Sequence, residues 1–142
     1  MNKLIIPAVI GAIGAASAVA WSQTPPRPPG APNLNPNNAK VYYNGPLEND
    51  ASRYVLLLSL TLLPKEGTNF HRHPGDQWFA VQEGEVTFTI KGEAPRTMKV
   101  GDSVYIPRGT EHRNQNLTDK PARTVELDIM DKDKPLFEPV TE

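Results

Sequence analysis

The chain of 142 residues contains no cysteine. That absence removes a disulfide scaffold, a thiolate nucleophile and an iron–sulfur site together. Any bound metal must therefore be held by nitrogen and oxygen donors. Histidine is scarce as well, with three in the chain. No cluster of lysine and arginine stands out, and the formal net charge is −1. Nothing is there to neutralise a row of phosphates, so a nucleic-acid partner is not expected. Amphipathic helix periodicity is missing beyond the N-terminal region. The length is that of one domain.

The N-terminus has the pattern of a secretory signal. Lys3 supplies positive charge, Leu4 to Ala16 is an apolar run, and Ala16-Ser17-Ala18 and Ala18-Val19-Ala20 are small-x-small cleavage sites. Read instead as an uncleaved anchor, the run to Ala20 is about 17 residues, at the short limit for a membrane span. Cleavage is favoured, because the tail of the run is alanine-rich. Either way the remainder is expected outside the cytoplasm, periplasmic or secreted, with no membrane contact once the signal is removed. Residues 1–20 are thus read as signal and 21–39 as a linker. Six prolines between Thr24 and Pro36 prevent helix or ladder formation and give a semi-rigid tether.

Beyond the linker the pattern becomes short strands separated by turns. Glu85 to Lys91 alternates, with Val86, Phe88 and Ile90 on one face and Glu85, Thr87, Thr89 and Lys91 on the other. Arg53 to Leu63, Gln77 to Gln82, Arg96 to Val100 and Ser103 to Ile106 read as further strands, with turn signals at Glu83-Gly84 and Gly101-Asp102. In Arg123 to Met130, the apolar alternation puts Val125, Leu127 and Ile129 inward. Many short strands at close spacing predict an all-β barrel or sandwich over 40–135. The tail, 136–142, is expected to run extended over the surface.

The three histidines are His71, His73 and His112. Side chains two apart on a strand share a face, so His71 and His73 can offer two imidazoles to one ion. Gln77 lies at an even offset from them and can present its amide oxygen to the same side. It would either ligate directly or hydrogen-bond a metal-bound water. Asp76, the nearest carboxylate, has the opposite parity.

These residues carry a family resemblance. The stretch from Gly67 through His71, His73, Gln77 and Gly84 resembles the first cupin motif. The stretch Gly101 to Asn116, with Pro107-Arg108-Gly109 and His112, is similar to the second. The resemblance covers 40–135 and implies a single cupin barrel, the double-stranded β-helix or jelly roll. It implies one divalent transition metal (iron, manganese, nickel, copper or zinc) on His71, His73, His112 and Gln77. Where this chain has Gln77 the family usually has glutamate. The ligand set is then neutral, which favours Lewis acidity and anionic ligands and removes a residue that could serve as base. Pro107 and Gly109 would fix the loop that returns the chain to His112.

Phe79, Val81, Val86, Phe88, Ile90 and Leu127 are expected to line an apolar substrate pocket beside the ion. Trp78 should face outward, where it would cap a homodimer interface, since cupins often pair, or stand as a half-buried surface aromatic. The resemblance extends to small exported cupins near the quercetin dioxygenases. It implies a metal-dependent protein acting on a small, partly apolar or enol/carboxylate substrate, with dioxygenase-like chemistry. The alternatives are a non-redox cupin of the sugar-acid isomerase or lyase type, and a metal- or ligand-binding protein without turnover. No residue is singled out as catalytic.

Overall fold

The structure is a computed structural model and describes residues 38–141. The signal, 1–20, and nearly all of the linker, 21–39, lie outside the described residues. From Ala39 onward the chain forms ten strands and, among the described residues, no α-helix: β1 (Ala39–Leu47), β2 (Asp50–Leu62), β3 (His71–Arg72), β4 (Gly75–Glu83), β5 (Glu85–Ile90), β6 (Arg96–Lys99), β7 (Ser103–Ile106), β8 (His112–Gln115), β9 (Ala122–Asp131) and β10 (Glu138–Pro139). They make two five-stranded sheets, ordered β1-β2-β9-β4-β7 and β10-β3-β8-β5-β6. All pairings are antiparallel.

The inner faces of the sheets share one core. Leu56, Leu58, Leu60 and Leu62 of β2 meet Phe79 and Val81 of β4, Val86 and Phe88 of β5, Met98, Ile106 and Ala122. Each large side chain so buried stabilises the barrel by about 2 kcal/mol relative to exposure. Phe79 and Phe88 pack edge to face, with ring centroids 5.5 Å apart.

Two glycines permit close approach. A Cβ on Gly75 would collide with the Ile129 carbonyl where β4 meets β9. Gly84, at φ +70°, takes the chain from β4 into β5, and a Cβ there would lie 2.6 Å from the Pro121 carbonyl oxygen.

The face assignment of β9 differs from the sequence expectation. Thr124, Glu126, Asp128 and Met130 point into the barrel, while Leu127 stands on the outer face, 36% exposed. The rule of apolar residues inward fails here because both faces of this sheet have an unusual lining. The inner face is polar over part of its length. The outer face carries an apolar row, Tyr43–Leu57–Leu127–Trp78–Tyr105, that crosses all five strands in register. Leu127 therefore belongs to that row and not to an interior pocket. Parity is fixed by Ala122 and Met130, both fully buried at the ends of β9.

The tail does more than cover the surface. Glu138 and Pro139 pair with Arg72 and His71, which adds β10 to the edge of the second sheet. Proline suits an edge, where the missing N–H faces no neighbour.

Candidate metal centre

His71 and His112 are directly paired across β3 and β8. His73 follows His71 on the same side, as the two-residue period requires. The turn after Pro107 locks these elements together: the Gly109 N–H, in a residue at φ +77°, donates to the His73 carbonyl, and the Thr110 N–H donates to that of Pro107. The three rings converge, with centroids 5.0 Å (His71–His73), 4.4 Å (His71–His112) and 5.3 Å (His73–His112) apart.

Every Nδ1 in this cluster lies against a backbone carbonyl: His71 on Asn69 at 2.8 Å, His73 on Leu136 at 2.8 Å and His112 on Thr110 at 2.9 Å. A carbonyl oxygen only accepts, so Nδ1 carries the proton and Nε2 is left with its lone pair. Nε2 of His73 and of His112 is buried with no protein partner. One ligand atom from each ring fits within 4.8 Å of the others. Burial holds all three imidazoles neutral: His71 is lowered, His73 is pushed down to about 4 and His112 to about 3, the latter two also by repulsion from His71. Three neutral imidazoles with bare, inward Nε2 atoms are what a divalent first-row ion requires, so the donor set fits such an ion. The carbonyl partners are the outer contacts that fix ligand orientation. One comes from Leu136, in the tail, and Phe137 beside it packs on His71 with ring centroids 5.6 Å apart.

Gln77 shares this interior, 3% exposed. Its Nε2 donates to Glu126 Oε2 at 3.4 Å, and its Oε1 is buried without a partner. The unsatisfied oxygen is free for an ion or a water. Asp76 lies on the outer face, where it accepts from the Tyr105 hydroxyl and the Arg108 N–H. Phe79, Val81 and Phe88 are almost fully buried, and Phe88 packs on His112 with ring centroids 5.8 Å apart, so an apolar wall stands beside the imidazoles. Leu127 is not part of it. Arg108 forms a two-pronged ion pair with Asp131.

Glu126 and Asp128 are the residues that sequence reasoning missed. Asp128 lies directly across the register from Gln77, and Glu126 from Phe79. Burial raises the carboxyl of Glu126, offset in part by a hydrogen bond from Thr124 Oγ1 at 2.8 Å. Asp128 is raised well above the usual carboxylate range by burial and by Glu126 alongside, with a hydrogen bond from Gln77 opposing. Its Oδ1 has no partner. The neutral ligand set therefore stands beside two titratable carboxyls that burial pushes toward their protonated forms. The signal in the sequence was the acidic pair two residues apart on a strand whose buried ends, Ala122 and Met130, share its parity.

A family model of the cupin domain matches residues 58–130. The uncharacterized protein YdbB of Bacillus subtilis is 37% identical over 65 residues, 45% of this chain and 54% of that protein. Dimethylsulfoniopropionate lyase DddQ of Ruegeria pomeroyi is 37% identical over 43 residues, 30% of this chain and 21% of the lyase. The chain thus spans only about half, and about a fifth, of these relatives' lengths. The crystal structure of that lyase superposes with a TM-score of 0.55 at 23% identity, over 61% of this chain and 43% of the other. A Klebsiella pneumoniae protein with a double-stranded β-helix domain gives 0.59 at 19% identity, over 72% and 83%. These structural likenesses concern the fold. With two packed antiparallel sheets, both histidine motifs in place and more than half of the chain matched by the family model, the chain belongs to the cupin family.

Proposed function

We propose that the chain is a metal-dependent cupin enzyme that carries out proton-transfer chemistry, of the lyase or isomerase type, on a small enol- or carboxylate-bearing substrate. The observation that carries this reading is the convergence of three neutral imidazoles, with the Nε2 atoms of His73 and His112 buried and without a protein partner. His71, His73 and His112 would hold the ion, with Gln77 Oε1 as a fourth, uncharged donor. Bound there, a divalent ion would supply Lewis acidity toward an anionic substrate oxygen.

The chain's own residues do the rest. The carbonyls of Asn69, Leu136 and Thr110 keep the three rings aimed and in one tautomer. Phe79 and Phe88 exclude water from one side, which strengthens electrostatic interactions in the site. Asp128, with a raised carboxyl and an unpartnered Oδ1, holds a proton where an exposed aspartate would not, and serves in this reading as the acid that gives this proton to the substrate and, once ionised, as the base that recovers one from it. The similarity of one stretch to a protein named as a lyase points the same way.

A dioxygenase-like reaction is the second reading, favoured by the aromatic wall at His112. The exported location belongs to the proposal as well. The test is elemental analysis of the protein from its own compartment, followed by a screen of small enol and carboxylate substrates with and without oxygen. Turnover without oxygen supports the first reading, and oxygen-dependent turnover with iron or copper supports the second. Full metal occupancy in His71→Ala or His112→Ala would refute the site itself.

A further inference from the structure

The two carboxyls behind Gln77 explain why that position holds an amide. Glu126 and Asp128 are 7% and 1% exposed, and among the described residues no cation acts on either carboxyl. Glu126 Oε1 takes the Thr124 hydroxyl, and its Oε2 takes the Gln77 amide nitrogen. Asp128 stands directly across the register from the same residue. A primary amide has two N–H donors and one oxygen. With the nitrogen committed to Glu126 on β9, the oxygen is left without a protein partner in the same interior as the buried Nε2 of His73.

A glutamate at 77 would present acceptors to acceptors. Three carboxyls would then crowd one buried patch with the Thr124 hydroxyl as the one remaining donor among those named. Like charges so close cannot all ionise, and unpaired buried acceptors are costly. The carboxyls that the ligand set lacks stand one strand away, on β9.

We propose that the Glu126–Asp128 pair dictates the residue at 77: it requires an amide there, binds that amide's nitrogen, and thereby turns Oε1 toward the three imidazoles. Glu126 and Asp128 are positioning residues in this respect, acting through Gln77. The orientation toward a metal rests on the metal-centre reading above. The dependence of residue 77 on the acidic pair does not.

The experiment uses the full chain, with Co(II) as the probe, and five proteins: wild type, Gln77→Glu, Gln77→Leu, Glu126→Gln, and the double variant Gln77→Glu/Glu126→Gln. Thermal unfolding of the metal-free proteins comes first. Gln77→Glu should melt well below wild type, and the double variant should recover most of the loss, because exchanging the two side chains restores one amide between carboxyls. Co(II) titration comes second. Glu126→Gln leaves the Gln77 amide free to turn over, since the new amide can accept as well as donate. Its Co(II) affinity should fall about 10- to 100-fold, the usual cost of losing an outer contact to a ligand. Its Co(II) absorption spectrum should move toward that of Gln77→Leu. A metal-free Gln77→Glu protein as stable as wild type, or a double variant no more stable than the single, would overturn the proposal. Wild-type protein that takes up no Co(II) would overturn the metal-centre reading instead, and the melting comparison would still decide the role of the acidic pair.

Discussion

Acidifying the metal-free protein from pH 7.5 to pH 5 should weaken it through the histidines. In the fold His73 and His112 are pushed down to about 4 and about 3 by burial and mutual repulsion, whereas in the unfolded chain an imidazole titrates near 6.5. At pH 5 the unfolded chain therefore binds protons that the fold refuses. The sign follows: a depressed histidine contributes stability that is present above the unfolded value and is lost as pH falls through it. At pH 5 each of the two accounts for a loss of roughly 2 kcal/mol, so the pair removes on the order of 4 kcal/mol. Glu126 and Asp128 act in the opposite sense. Their folded values are raised, so protonation on acidification favours the fold. The histidine effect is therefore read in Glu126→Gln/Asp128→Asn, which lacks the opposing pair, by urea unfolding at both pH values. Imidazole nitrogen NMR of the same samples should show both rings neutral, with the proton on Nδ1, at pH 5. A urea midpoint unchanged between the two pH values in that variant, or ring titrations near 6.5, would refute the reasoning.

Three further outcomes are expected. Asn116 is fully buried, donates from Nδ2 to the Leu62, Leu63 and Lys120 carbonyls and accepts from Thr118 N–H and Oγ1, so Asn116→Ala should destabilise the barrel by on the order of 3 kcal/mol in urea titrations; a loss under about 1 kcal/mol would contradict the bonding pattern. The stacked Trp78–Tyr105 pair, with centroids 4.8 Å apart, lies in the apolar row of the outer face, and we expect that row to pair two copies of the chain; Trp78→Asp should shift the sedimentation coefficient to that of a monomer, and a monomeric wild type would refute the pairing. Exported protein should begin near Val19 or Trp21, and mass spectrometry finding Met1 retained would favour an anchored chain.

The parts of the site that were legible in the sequence are those set by local rules. Two histidines at strand period, a glycine at φ +77° after Pro107, and alternation in β5 each follow from the geometry of a few adjacent residues. Three features depend on partners distant in the chain and were not legible. Apolar alternation, the usual guide to a strand's buried face, predicts Leu127 inward, yet β9 reverses it. Glu126 became part of the site only through the register that sets β9 beside β4. The tail gave no strand signal, because β10 is two residues long and includes a proline, yet the adjacent Leu136 carbonyl orients His73.

The placement of polar groups follows from how two sheets enclose one interior. His71 and His112 come from β3 and β8 of one sheet, while Gln77, Glu126 and Asp128 come from β4 and β9 of the other. The first group offers lone pairs without charge, and the second offers an amide oxygen and two carboxyls without a cation. Each is costly to bury alone, because bare Nε2 atoms lose hydrogen bonds to water and a carboxyl without a cation is forced toward its protonated form. A cation between the sheets would compensate both costs, taking the imidazole lone pairs directly and the acidic pair through the Gln77 amide. A barrel filled only with the leucines and phenylalanines of its core would need neither group. Their survival in the interior, against the gain of about 2 kcal/mol for each apolar side chain that could replace them, argues that this interior is shaped for a ligand and not for stability.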